Sequence, residues 1–101
     1  MDIQKLMQQA QEMQAGMQKT QEELAAKNVE ASVGGGKVTV VANGAGEVQS
    51  ISIDPSVVDP EDVEFLQDLV LSGVQEAIAK GKEMATSEMS KLTGGLGIPG
   101  M

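Results

Sequence analysis

The chain has 101 residues, the size of one domain, and carries 15 acidic side chains against seven lysines and no arginine, for a formal net charge of -8. The absence of cysteine and histidine excludes a disulfide framework, thiolate chemistry and the usual proton shuttles, and the acidity argues against a broad basic surface for nucleic acid. Phe65 is the one aromatic residue, so the core must be aliphatic.

The opening MDIQKLMQQ is too polar for a secretory signal, and no apolar run approaches the roughly 18 residues of a membrane span. The expectation is a cytoplasmic protein with no membrane partner. From about Asp2 to Lys27 the apolar positions are Ile3, Leu6, Ala10, Met13, Met17 and Leu24, with Thr20 in the remaining slot. Their spacing alternates three and four, a heptad stripe on a helix capped by Asp2. Such a seam needs a facing seam, and the expected one is the chain's own second helix. Some 25 helical residues span about 37 Å, longer than the roughly 34 Å diameter of a compact globule with a radius of gyration near 13 Å.

Residues 28–54 alternate with a period of two. Val29, Ala31 and Val33 form one run; Val38, Val40 and Ala42 a second; Gln49, Ile51 and Ile53 a third. Gly34-Gly35-Gly36 joins the first pair, and Asn43-Gly44-Ala45-Gly46, with its Asn-Gly hairpin signal, joins the second. The prediction is a three-stranded antiparallel meander. Asp59-Pro60-Glu61-Asp62 reads as a helix start with Asp59 at the N-cap. The pattern then continues through Val63, Leu66, Val70, Val74, Ala77, Ile78, Met84 and Met89 to about Leu92. Gly73 and Gly81 interrupt it, each at a cost of about 1 kcal/mol against Ala, and mark places where another part of the chain comes close. Thr93 to Met101 is Gly- and Pro-rich and reads as a flexible tail, leaving residues 1–92 as the single domain. The fold class is α+β, an α-β-β-β-α protomer with two helices too long for its sheet, which suits an elongated homodimer.

Chemistry is sparse. Gly95 to Gly100 spells G-x-G-x-x-G, but a helix precedes it and none can follow, so it lacks the context of a dinucleotide turn. Gly34-Gly35-Gly36-Lys37 joins strand to strand and lacks G-K-[ST], so it reads as a hairpin rather than a phosphate loop. Asp54, Asp59, Glu61, Asp62 and Glu64 do not have the spacing of a calcium loop, and helix capping accounts for most of them. No metal, no cofactor and no catalytic residue is expected, and the chain reads as a non-enzyme. The lysines remain. Lys5, Lys19 and Lys27 fall on the first helix and Lys80, Lys82 and Lys91 on the second. Glu23–Lys27 and Glu76–Lys80 have favourable i,i+4 spacing, whereas Lys82 has no acid in helical reach.

Three stretches, LMQQAQEMQAGMQKTQEEL, GGGKVTVVANGAGEVQSISIDP and TGGLGIPG, occur in an order and spacing that resembles the YbaB/EbfC family of bacterial nucleoid-associated proteins over essentially the whole chain. The resemblance implies a homodimer formed through the sheet, with the helices projecting as paired arms in a tweezer-like shape. It implies binding of double-stranded DNA with little sequence preference, in nucleoid organisation or gene regulation. Carried onto this chain, the DNA contacts are Lys5, Lys19, Lys27, Lys80, Lys82 and Lys91, and the dimer seam falls among Val38, Val40, Ile51 and Ile53. The rival reading is an acidic protein–protein module acting with replication or recombination proteins. Doubling the chain's -8 gives a dimer of -16, so DNA binding by such a pair should be weak and steeply salt-sensitive.

Overall fold

The first helix is long because little opposes it. Gln, Glu, Lys, Met and Ala dominate helix α1, Ile3–Ala25, and Asp2 closes its start by accepting from the backbone N–H groups of Gln4 and Lys5. The computed structural model describes residues 2–94, and the G-x-G-x-x-G stretch, with the tail beyond Gly94, lies outside the described residues.

Strands β1 (Asn28–Val33), β2 (Val38–Asn43) and β3 (Val48–Ile53) form the expected meander, each within one residue of its predicted bounds. Both pairings are antiparallel. Opposite Val41 and Ala42, β3 carries a bulge, so that Ser50 faces Val41 and Val48 faces Ala42. All three glycines of the first turn have positive φ, as a tight hairpin between two β-branched strand ends requires.

A 3₁₀ turn at Pro55–Val57, not anticipated from the sequence, follows β3. Asp54 caps it, accepting from Ser56 N at 2.8 Å, and Lys37 Nζ lies 3.6 Å from the same carboxylate. The Ser56 hydrogen bonds first, and the Lys37 ammonium second, hold the Asp54 carboxyl below its usual value. A lowered folded pKa contributes stability that is complete above the ordinary carboxylate pKa and is lost as pH falls through the folded value. Asp54→Asn should therefore flatten the acid-side decline in stability, measured by urea unfolding at a series of pH values below about 4.

Helix α2, Val63–Gly94, starts later than predicted. Its cap is Asp62, which accepts from Phe65 N, while Asp59 closes a separate turn by accepting from Glu61 N. The Asp-Pro-Glu-Asp string thus forms a turn first and a helix second. At its far end α2 continues through Gly94, two residues into the segment expected to be tail.

One face of the sheet is covered by α2, chiefly over β1 and β2. Ala31, Val38, Val40, Ala42 and Ala77 are buried there, with Val29, Val33, Leu69, Val70 and Val74 packed around them. The close fit depends on two helix glycines. A Cβ on Gly73 would stand 2.9 Å from a Val40 methyl, and one on Gly81 would run into the backbone carbonyl of Asn43. The opposite face is polar, and the Ser32 and Thr39 hydroxyls share a hydrogen bond across it at 2.9 Å.

Asn43 ties the sheet to α1. Its amide donates to the Ala25 carbonyl at 3.1 Å and to Glu47 Oε1 at 2.8 Å, and its carbonyl oxygen accepts from Ala45 N and Glu47 N. It is buried with every polar atom satisfied. Gly44 N adds a bond to Leu24 O at 2.9 Å. From this anchor α1 runs antiparallel to the last turns of α2: Leu24 shares a small cleft with Ala85 and Met89, and Leu92 lies beside Gly16.

The molecule measures 71 × 26 × 17 Å, with a radius of gyration of 19.5 Å. The expectation that α2 would face the whole seam of α1 holds only from Gly16 to Leu24. Beyond Gly16 the described part of α2 has ended, and Ile3, Leu6 and Met13 are exposed.

Candidate nucleic-acid interface

On a helix of 3.6 residues per turn, Lys5, Glu12 and Lys19 fall within about 40° of one another and form a stripe along α1. Among the described residues Lys5 and Lys19 make no ion pair, so both ammonium groups face solvent along the arm. Glu12 divides the stripe midway. Two positive charges roughly 21 Å apart are therefore presented with one negative charge between them.

The other four lysines separate into two places. Lys27 lies beyond the end of α1, and instead of pairing with Glu23 it reaches Glu88 on α2 at 3.6 Å. Lys91 approaches the same carboxylate at 4.0 Å. Lys80, expected to pair with Glu76, donates to the Glu30 carbonyl of β1 at 3.0 Å. Lys80 and Lys91 share a flank of α2, since eleven residues bring a helix back to nearly the same direction. Lys82 points the other way, over the β2–β3 turn, where its stem passes Gly46. It has no ion-pair partner among the described residues. The structure thus gathers Lys27 and Lys91 around Glu88, holds Lys80 on the Glu30 carbonyl of β1, and keeps Lys82 apart from both. Glu76 and Glu83 lie on the Lys80 flank, so the surface there is mixed in sign.

The four seam residues also divide. Val38 and Val40 are fully buried beneath α2 within the protomer, so their side chains are not available to a partner. Of the four residues that the resemblance puts at the dimer seam, these two therefore face α2 of their own chain. Ile53 pairs with Val38 and Ile51 with Val40, which puts all four on one sheet face. Yet Ile51 and Ile53 remain 44% and 40% exposed, because α2 barely reaches β3. Val48 on the same strand is exposed as well. A groove of about 410 Å³ along α2 is lined by Leu66, Gln67, Val70, Leu71 and Val74. Strand β3 thus presents exposed apolar side chains at a free sheet edge, and α2 carries an apolar groove of its own.

The cleft of about 350 Å³ among Gln21, Leu24, Gly44, Ala45, Ala85 and Met89 has no titratable side chain in its wall. Among the described residues no three His, Cys, Asp or Glu side chains gather to hold a metal, and no helix is long and apolar enough to cross a membrane.

Known proteins match the chain along nearly its whole length. A family profile described as the YbaB/EbfC DNA-binding family covers residues 1–96. A nucleoid-associated protein of Acetivibrio thermocellus is 58% identical over 101 residues, spanning 99% of this chain and 89% of its own. One from Clostridium novyi is 56% identical, spanning 100% of this chain and 89% of its own. Among solved structures, the crystal structure of an uncharacterized protein from Helicobacter pylori matches with a TM-score of 0.81 at 25% identity, covering 92% of this chain and 98% of that one.

Proposed function

The chain belongs to the YbaB/EbfC DNA-binding family, and from that premise we propose that it binds double-stranded DNA as a homodimer, with little sequence preference, in the nucleoid. Its role there is nucleoid organisation or gene regulation. The observation that carries the reading is the α1 arm, whose Lys5 and Lys19 have no ion-pair partner among the described residues and share one stripe. Phosphates need cations that no carboxylate has already taken, and the arm offers them. Lys82, equally unpaired, is a secondary contact; Lys27, Lys80 and Lys91 are partly engaged within the protein and contribute less.

Four arm lysines in a dimer, each meeting one phosphate, give a salt slope near -3.6 and roughly a hundredfold loss of affinity between about 50 and 200 mM salt. Fluorescence anisotropy with two unrelated duplexes of equal length should show similar affinities and this slope. Lys5→Gln with Lys19→Gln should weaken binding at least about tenfold at low salt and flatten the slope. No binding at about 50 mM salt with micromolar protein would overturn the proposal.

A second reading draws on the net charge of -8 and the exposed Met-rich stripe of α1. It makes the arms a docking surface for replication or recombination proteins. In a pull-down, partners retained after nuclease treatment favour this reading, and partners lost with the nucleic acid favour direct DNA binding.

A further inference from the structure

Ala10 opens a hollow in the exposed half of α1. Ile3, Leu6, Ala10 and Met13 carry the seam beyond Gly16, and all four are exposed. A hollow of about 590 Å³ on this face is lined by Leu6, Gln9, Ala10, Glu12 and Met13, and among the described residues no other element forms its wall. Leu6, Gln9, Ala10 and Met13 stand at i, i+3, i+4 and i+7, the corners of the hole that receives one side chain of a facing helix in a coiled coil. An isolated helix shorter than about 15 residues is marginal in water, so a facing helix would also support the tip of the arm.

The charge distribution selects a second copy of the chain as that helix. From Asp2 to Lys19 the charged side chains are Asp2, Lys5, Glu12 and Lys19, two of each sign, so the formal charge of -8 arises from residues 20–101. The arm is therefore the part that another copy can approach without like-charge repulsion. Side-chain size then sets the direction. Parallel arms would set Ala10 against Ala10 and leave the hollow underfilled, with the two acidic bodies side by side. Antiparallel arms with Ile3 opposite Met13 put Leu6 of each copy into the hollow of the other. Lys5 then lies within one residue of the level of Glu12 on the second copy, and the two helix dipoles oppose. The Ala25 ends of the two helices stand about 50 Å apart, several times the Debye length of about 8 Å. A register one heptad further along would set the second tip on Met17 and Thr20, in the half of the seam that α2 faces.

We propose that the exposed half of α1 pairs antiparallel with the same half of a second copy, Leu6 packing against Ala10 and Ile3 against Met13. The seam side chains of both copies bury roughly 600–800 Å² in total, less than the about 1,200 Å² of a stable interface, so the contact is weak and forms in concentrated solution. The Lys5–Lys19 stripe lies off the seam and stays open. The pairing rests on neither DNA binding nor the free edge of β3; where copies also join through that edge, the arms link one joined pair to the next.

The chain has no native cysteine, so introduced thiols report the contact directly. Ile3→Cys and Met13→Cys mark the two ends of the seam and leave Leu6 and Ala10 in place. Mixed, concentrated and mildly oxidised, these two variants should form their mixed disulfide at least about tenfold faster than either alone links to itself, because like positions lie roughly 15 Å apart along an antiparallel pair. Mixed and single variants linking at the same rate, fast or slow, would overturn the proposal. So would a mixture of Gln8→Cys with Met13→Cys that links as fast, since Gln8 lies on the opposite side of α1. Adding Leu6→Glu to both cysteine variants should slow the mixed disulfide at least about tenfold, whereas adding Gln8→Glu should leave its rate unchanged. A mixed disulfide that keeps its full rate with Leu6→Glu would also count against the pairing.

Discussion

Gly81→Ala should destabilise the protein by about 2–4 kcal/mol, although the same change in an open helix stabilises it. The difference lies in what the new methyl meets. Gly81 packs directly against the backbone carbonyl of Asn43. That oxygen already accepts from Gly46 N at 3.1 Å to close the β2–β3 turn. A backbone atom held in a hairpin cannot swing aside as a long side chain can, so α2, which carries the wholly buried Ala77, must lift from the sheet above the equally buried Ala42. Gly16→Ala is the matched control. Its methyl finds only the Leu92 side chain at an ordinary 3.8 Å, and it should gain about 0.5–1 kcal/mol from helix propensity. Urea unfolding of the two variants at one fixed protein concentration compares them. A Gly81→Ala protein as stable as the parent would refute the close packing of α2 on β2.

The second large effect concerns assembly. Ile53→Asp should convert the proposed dimer into a monomer by weakening association at least about a hundredfold, near 3 kcal/mol. The reason is the offset of α2. It covers β1 and β2 but leaves Val48, Ile51 and Ile53 uncovered. Two copies meeting on a two-fold axis would bury this strip against itself and protect both free β3 edges. A carboxylate at its centre would be buried twice without a counter-ion. Ser52→Asp, on the polar face of the same strand, should leave association unchanged. Sedimentation or light scattering distinguishes the outcomes. A parent chain that is monomeric at tens of micromolar, or an Ile53→Asp variant that still dimerises, would place the interface elsewhere.

The contrast between Val38 and Ile53 shows where sequence reading stops. Alternation correctly puts both on one sheet face, because a strand's period of two is a local property. Which of them is covered depends on how far a helix from the other end of the chain extends across the sheet, and no local pattern encodes that. The same holds for the lysines. Glu23 and Glu76 sit at good helical spacing, yet Lys27 turns to Glu88 and Lys80 to a strand carbonyl, partners 61 and 50 positions away along the chain. The cap of α2 failed for a different reason. Asp59 and Asp62 both suit the N-cap, and the choice between them is made by the turn that Pro60 favours. The glycines were more legible. An interruption in an otherwise regular helix has a cost, and at Gly73 and Gly81 the packing against the sheet offsets it.

Asn43 gives the arm its leverage. Its bonds to Ala25 and Glu47, with that of Gly44 to Leu24, fasten one end of a rod of 23 residues. Such a rod is about 35 Å long, so a tilt of about 10° at this fulcrum carries the tip through roughly 6 Å. In the proposed homodimer, the clearance between opposed arms would therefore be set far from their tips, where Asn43 and Gly44 join α1 to the sheet.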